Sequence, residues 1–207
     1  MESQTLSNKL LRDFDNLYNS EADDYDVKIQ VGENSKMENF KAHSVILRAR
    51  STYFRSAFSS NWAKKEGKYF IFKKPNVSAI VFQIILKYIY TGIIELNENN
   101  VKNNIIEILI AADEMNLCEL VEYLQQHIIN LNNDWIKKNI VKLFNKIYQC
   151  KGVFPKLEDY CNDINMCQES ELLIDSNIFR GLNHGVLQRI LLLILILEIG
   201  YLMSIMR

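Results

Sequence analysis

The sequence predicts an α+β fold, in which a small sheet packs with a helical cluster, followed by a segment built of helices alone. Residues 25–31 alternate strictly between apolar and polar, which is the period of a half-buried strand. Two further strand-like runs, 37–42 and 69–72, also lie before residue 97. From residue 100 onward, apolar residues recur at steps of three and four, as they do in helices. Strands that precede a purely helical region indicate an α+β domain with an all-α extension.

The N-terminal residues 7–18 predict a short amphipathic helix. Its apolar stripe is formed by Leu10, Leu11, Phe14 and Leu17, and Ser7 can cap its start. Such a helix can fold onto its own domain or bury its stripe against a second copy of the chain. The pattern alone leaves both interpretations open.

Between residues 25 and 72 the periods change several times. The strands 25–31 and 37–42 flank a Gly-Glu-Asn-Ser turn and predict a hairpin. The predicted elements that follow are short helices at 43–50 and 51–59, the second capped by Ser51, a polar loop at 61–68 and a strand at 69–72.

Helical spacing dominates the rest of the chain. Residues 77–92 predict a helix that Thr91 and Gly92 stop, and 93–96 is at most an edge strand. Asp134 is the candidate cap of a later helix. The further predicted helices are 100–116, 117–129, 134–149, 156–167 and 169–179.

Charge and cysteine content restrict the class of protein. The net charge of the 207-residue chain is −1, so we expect no nucleic-acid binding by bulk electrostatics, which needs a basic excess. The four cysteines form no Cys-x-x-Cys pair, and the N-terminus lacks the apolar run of a signal peptide. These features predict a reduced intracellular protein in the cytoplasm or nucleus.

No constellation of catalytic residues is visible in the sequence. His43, His127 and His184 are far apart, and phosphate-loop, Gly-x-Ser-x-Gly and His-Glu-x-x-His motifs are missing. A single histidine with no nucleophile at motif spacing has no reaction to perform. We therefore predict a non-enzymatic protein with no cofactor and no metal.

Several motifs follow one another in a recognisable order. They are Asp26-Val27, Phe-Lys-Ala-His at 40–43, Ala-Arg-Ser-x-Tyr-Phe-Arg at 49–55, Tyr-Ile-Tyr-Thr-Gly at 88–92 and Ala-Ala-Asp-Glu-Met at 111–115. Over roughly residues 24–130 the chain resembles the BTB (POZ) domain, and 131–180 resembles the start of the helical BACK domain of kelch-like adaptors. The domains expected from this resemblance are an N-terminal dimerisation helix and linker at 1–22, a BTB domain at 23–130, a partial BACK-like domain at 131–180 and an apolar C-terminal helix at 181–207.

The resemblance implies a protein–protein interaction module. BTB domains commonly form homodimers, which assigns the dimer interface to Leu10, Leu11, Phe14 and Leu17. It also implies that Asp26 and His43 form a structural pair.

Many BTB proteins recruit cullin-3 to a substrate protein, whose identity this sequence does not reveal. Their signature is a hydrophobic residue, any residue and Glu, whereas this chain has Trp62, Ala63 and Lys64. Lys64 thus reverses the charge of the motif. The candidate cullin-facing residues are Tyr53, Phe58, Trp62 and Lys64.

Two other functions remain open from the sequence. One is a dimerising scaffold that makes no contact with a cullin. The other is a transcription-regulatory BTB protein, whose corepressor pocket combines the aspartate at the position of Asp26 with a basic residue after the histidine. Ser44 occupies that basic position here.

The C-terminal residues 190–206 are almost wholly apolar, with Glu198 near their centre. As a helix they span roughly 25 Å, at about 1.5 Å per residue, which is short of the ~30 Å hydrocarbon core. A central acid adds a cost of ~2.5 kcal/mol to insertion. We therefore predict no membrane anchor and favour a helix that packs within a fuller BACK domain over a tail anchor.

Overall fold

The structure is a computed structural model that describes residues 2–20, 24–33, 36–59, 63–131, 133–150, 152–166 and 180–188. The chain divides into two compact units, Met1–Glu122 and Tyr123–Arg207. The sheet lies in the first unit, and the second unit is helical in its described part.

A mixed four-stranded sheet forms the framework of the first unit. Its strands are β1 (Val27–Val31), β2 (Glu38–Ala42), β3 (Lys64–Glu66) and β4 (Tyr69–Lys74). The predicted hairpin is confirmed, because β1 and β2 pair antiparallel with Val27 opposite Ala42. On its other side β1 pairs parallel with β4, with Val27 opposite Phe70. The strand order is β2-β1-β4-β3.

The third strand corrects one prediction, since part of the expected polar loop at 61–68 is β3. It pairs antiparallel with β4, with Glu66 opposite Tyr69. The turn between them uses Gly67 at φ +60°, a left-handed conformation that glycine adopts without steric cost. All three β3 residues are exposed, so they carry none of the apolar alternation that reveals a half-buried strand.

The helices fall in the regions where helical spacing predicts them. The helix α7 (Asn133–Gln149) begins one residue before the predicted cap Asp134. Residues 93–96 form no strand. The predicted helix at 169–179 and most of the apolar C-terminal run lie outside the described residues. The helices are α1 (Glu2–Asn19), α2 (Ser44–Arg50), α3 (Thr52–Ala57), α4 (Ala79–Thr91), α5 (Asn99–Glu114), α6 (Cys118–Ile129), α7 (Asn133–Gln149) and α8 (Pro155–Met166).

Side-chain and glycine caps set the helix boundaries. The predicted cap Ser51 is confirmed: its hydroxyl oxygen accepts a hydrogen bond from the Phe54 backbone N–H at 3.2 Å and donates to the Met115 carbonyl at 2.6 Å. The first bond starts α3, and the second ties it to the end of α5. Gly92 ends α4 at φ +69°, and its N–H donates to the Tyr88 carbonyl oxygen.

The core of the first unit lies between the sheet and the helices. The inward residues of β1, Val27, Ile29 and Val31, are fully buried. An aromatic cluster connects α3 to β4, and the Phe54 and Phe72 ring centroids lie 5.4 Å apart within it. The other members of this cluster are Tyr53, Phe58 and Phe70.

The second unit has its own apolar core. Ile136, Ile140, Phe144 and Ile147 recur at helical spacing along α7, and all four are buried. Leu157 of α8 is buried as well.

Of the helices in the described ranges, none combines the length and apolar character that crossing a membrane requires.

Candidate interaction surface

The helix α1 packs against α4 of its own domain and still exposes part of its stripe. The rings of Tyr18 and Tyr90 lie 5.6 Å apart where the two helices meet. Leu10 is 57 % exposed and Leu11 is 38 % exposed, whereas Phe14 and Leu17 are half-buried. Both interpretations of the sequence thus remain compatible with this helix, which covers its own domain and presents an apolar edge.

A groove of about 460 Å³ runs beside this edge. Its walls come from α1, from α2 and from the last turn of α4 with its glycine cap. Val45 of α2 is 72 % exposed next to it. Three of the four predicted dimer residues, Leu10, Leu11 and Phe14, line the groove, and Leu17 lines a neighbouring recess. Contiguous exposed apolar side chains of this kind mark protein-interaction sites.

Asp26 and His43, which the resemblance implies to be a structural pair, have different hydrogen-bond partners in the structure. The Asp26 carboxylate accepts hydrogen bonds from the Ser44 backbone N–H at 2.6 Å and from its hydroxyl at 2.5 Å. His43 is the residue before α2, at the N-cap position, but its side chain makes no capping hydrogen bond. Asp26, the residue before β1, therefore caps α2, where the helix dipole favours a negative charge.

His43 is held by Tyr90 and Asp24 instead. Its Nδ1 lies 2.7 Å from the Tyr90 hydroxyl oxygen, and its Nε2 lies 3.2 Å from Asp24 Oδ1. The His43 backbone N–H also donates to the Tyr90 hydroxyl oxygen at 2.9 Å. Burial raises the pKa of Tyr90 to about 12, so this hydroxyl stays protonated at neutral pH.

The candidate cullin-facing residues occupy different environments. Tyr53 is half-buried on α3, and Lys64 is exposed on β3. Phe58 is only 4 % exposed because its ring packs against Phe54 and Phe70, so it presents little surface to a partner. Trp62 lies outside the described residues.

Lys74 and Glu114 tie the end of β4 to the end of α5. The Lys74 Nζ lies 2.7 Å from Glu114 Oε2, and the Asn76 amide donates to the same carboxylate. Burial raises the pKa of Glu114, but the hydrogen bonds from Lys74 and Asn76 outweigh it, and the net shift is downward. The folded state thus favours the ionised carboxylate.

Glu114→Gln should flatten the acid side of the stability profile. The pKa of Glu114 is lower in the folded than in the unfolded state, where it is ~4.3. The ionised carboxylate therefore contributes its full stabilisation above the unfolded pKa, and this stabilisation is lost as the pH falls through the folded pKa. Because the pair is partly exposed, we expect a loss of about 0.2–1 kcal/mol at neutral pH and no difference at the acid end. Urea unfolding from acid to neutral pH measures this. The exposed Glu33→Gln is the control, and a profile for Glu114→Gln that parallels the native one throughout would contradict the role of the pair.

Sequence reasoning missed the outward face of the sheet. Lys28 and Lys41 lie directly opposite each other there, and the Tyr25 and Tyr69 rings stack with centroids 5.2 Å apart. The signal was present, since the polar positions of both hairpin strands include lysines. Which residues oppose each other follows from the strand register, which a single strand pattern does not contain.

Among the residues in the described ranges, no three His, Cys, Asp or Glu side chains lie close enough to hold a metal ion.

Parts of this chain are similar to known proteins. It is 32 % identical over 83 residues to Kelch repeat and BTB domain-containing protein 4 of mouse and of human. That match covers 40 % of this chain and only 14 % of the relative. Among solved structures, the BTB domain of zebrafish PATZ1 is 26 % identical, with a TM-score of 0.47, over 60 % of this chain and 92 % of that one. The BTB domain of human Gigaxonin is 25 % identical, with a TM-score of 0.45, over 56 % and 88 % of the two chains.

The family model of the BTB/POZ domain matches residues 14–132, which is more than half of the 207 residues. The match includes the sheet, the helices α2 to α5 and most of the groove described above. The chain therefore belongs to the BTB/POZ domain family, a family of protein-interaction domains.

Proposed function

We propose that the protein is a homodimeric BTB adaptor that recruits a substrate protein to a cullin-3 ubiquitin ligase. The observation that carries the dimer is the exposed apolar edge of α1 beside the groove. The cullin part is supported by the position of Tyr53 and Lys64 and by the Trp62-Ala63-Lys64 sequence that follows α3.

The dimer proposal follows from the chemistry of the groove. Leu10, Leu11 and Val45 are exposed in a single copy, and fully burying such a side chain is favourable by about 1.5–3 kcal/mol. A two-fold axis places the same patch on both partners, so each copy supplies its apolar edge to the other copy's groove. A second copy is therefore the occupant whose surface matches this groove.

The cullin proposal depends on the segment after α3. Tryptophan and tyrosine are enriched among the residues that dominate binding energy, which favours Trp62 and Tyr53 as anchors. Lys64 stands where the family signature has a glutamate, and it is exposed on β3. A partner surface that fits an acid therefore meets a cation here, which weakens its affinity.

Trp62→Ala should reduce cullin-3 binding by more than about 1 kcal/mol, because it removes the aromatic anchor. Lys64→Glu should strengthen binding, and high salt should shrink this gain because exposed charges are screened. Isothermal titration of the native chain and both variants against purified cullin-3 at two salt concentrations measures these effects. Lys102→Glu, which reverses an exposed charge on α5, is the control.

Binding by none of these proteins would leave the dimerising scaffold as the function. Sedimentation velocity of the native chain tests the dimer separately. The dimer and the cullin parts of the proposal therefore succeed or fail independently.

The transcription-regulatory alternative has less support. A corepressor pocket of that class needs the carboxylate of Asp26 beside a basic residue. In this chain Ser44 occupies the basic position, and it donates two hydrogen bonds to that carboxylate. The acceptor is thereby engaged within the fold.

We assign no catalysis to the domain. His43 lies within hydrogen-bond distance of Asp24 and Tyr90, which superficially resembles a catalytic arrangement. Burial raises the pKa of Tyr90 above that of an ordinary tyrosine, which disfavours the phenolate that a nucleophilic role would need. This hydrogen-bond network orients the start of α2.

The remaining assignments belong to the same proposal. Residues 131–180, which contain α7 and α8, serve as a partial BACK-like extension of the domain at 23–130. We propose that the 181–207 segment, most of which lies outside the described residues, is not a membrane anchor. The adaptor works in the cytoplasm or nucleus on a protein substrate, without cofactor or nucleic acid.

A further inference from the structure

We infer that the outward face of the sheet binds an acidic, extended peptide segment of a partner protein. This surface is separate from the α1 groove and shares only Lys64 with the 62–64 segment. The inference therefore goes beyond the adaptor proposal and does not depend on it.

Lysines form a row across the sheet. In the strand register, Lys28 lies opposite Lys41 on one side and Ile71 on the other, and Ile71 lies opposite Lys64. These side chains point away from the core because Val27 and Ile29, the neighbours of Lys28, are fully buried. Lys73 lies on the same face, two residues along β4 from Ile71.

Two of these lysines, Lys28 and Lys41, form a like-charge pair on neighbouring strands. Lysines directly opposite each other on neighbouring strands repel. Within the described ranges, no carboxylate forms an ion pair with Lys28, Lys41 or Lys73. A bound anion would relieve this repulsion, which gives the face a preference for acidic partners.

Two tyrosines fix the position of the ammonium groups. Lys28 Nζ lies 4.1 Å from the Tyr69 ring centroid, and Lys41 Nζ lies 4.7 Å from the Tyr25 ring centroid. The two rings stack on each other. Cation–π contacts of this kind hold flexible lysine side chains in place, so less conformational entropy is lost when a ligand binds.

A recess of about 320 Å³ lies in the centre of this face. Lys28, Lys41 and Lys73 line it together with the amide side chains of Gln30 and Asn39. These groups supply several hydrogen-bond donors to a carboxylate.

Glu66 is the one acid among the described residues that line the recess. Three lysines against one glutamate leave the recess with a positive balance. The recess therefore suits a carboxylate side chain of the ligand.

The dimensions favour an extended peptide. Four strands spaced ~4.8 Å apart give a row of about 14 Å, which four or five extended residues cover at ~3.3 Å each. A nucleic acid fits less well, because single-stranded bases need free aromatic faces. Here Tyr25 and Tyr69 cover each other and carry lysines. The net charge of −1 also provides no bulk attraction for a phosphate backbone.

The test is fluorescence anisotropy of the full chain with a labelled peptide of about ten residues that alternates Glu and Ser. The same peptide with Gln for Glu is the neutral probe. We expect Lys28→Glu combined with Lys41→Glu to weaken binding of the acidic peptide at least about tenfold at low salt. Lys102→Glu combined with Lys138→Glu makes the same charge change on exposed helical positions and should weaken it less than about twofold.

Equal binding of the acidic and neutral peptides would overturn the inference, and so would equal losses in the two double variants. A single-stranded oligonucleotide of matched charge is the third probe. If it bound more tightly than the acidic peptide and lost affinity in the Lys28 and Lys41 variant, the face would be a nucleic-acid surface instead. Circular dichroism of each variant verifies that the fold is retained.

Discussion

A chain that carries Leu10→Asp and Phe14→Asp should sediment as a monomer at micromolar concentrations at which we expect the native chain to be a dimer. The two carboxylates would stand in the apolar groove beside Val45, and Arg50 is the one cation among the described residues that line this groove. Burying an unpaired charge costs several kcal/mol, and a loss of about 3 kcal/mol raises the dissociation constant by roughly 100-fold. Sedimentation velocity over a range of concentrations measures the change.

The matched control is Asn8→Asp combined with Asn16→Asp. These substitutions add the same two charges to α1 at exposed positions, so the control should remain dimeric. Circular dichroism verifies that both variants keep their helices. If the Leu10 and Phe14 variant sedimented like the native chain, the α1 edge would not be the dimer interface.

The largest stability effect should come from Phe54→Ala, with a loss of about 3–5 kcal/mol in the free energy of unfolding. Phe54 is fully buried, and its ring lies within 5.4–5.7 Å of Tyr53, Phe58 and Phe72, measured between centroids. Its removal leaves a cavity between α3 and β4 that rigid neighbours fill only in part. Urea unfolding measures the loss at one fixed protein concentration, since dimerisation adds to apparent stability.

Ile80→Ala is the control for this measurement. Ile80 lies on α4 and is largely exposed, so its truncation should change the free energy of unfolding by less than about 1 kcal/mol. Similar midpoints for the two variants would show that the aromatic cluster does not hold the fold together.

The sequence predicts the helices and strands that bury one face, because their apolar residues then recur at a regular spacing. The strand β1 was clear because Val27, Ile29 and Val31 face the core while Lys28 faces outward. The helix α7 was clear for the same reason. The strand β3 was missed because its pairing with β4 comes from backbone hydrogen bonds and a glycine turn, while all its side chains are exposed.

Side-chain partners were harder to predict than elements. The motif indicates that Asp26 and His43 lie close together. Which backbone N–H the Asp26 carboxylate accepts from, that of Ser44, depends on how the start of α2 packs against it. Phe58 is one of the candidate cullin-facing residues that the family resemblance implies. It is buried because β4 places Phe70 against it. Such contacts depend on elements that are far apart in the chain, which local patterns do not encode.

The parallel pairing of β1 with β4 also has a consequence for the order of folding during synthesis. The β1–β2 hairpin is local and can form as soon as residue 42 has left the ribosome, whereas Val27 must wait for Phe70. Until then the second edge of β1 carries unpaired N–H and C=O groups along an apolar strand, which is a template for pairing with another chain. We therefore expect the nascent chain to expose an aggregation-prone strand edge while residues 43–74 are being added, and a chaperone that covers β1 would protect it during that interval.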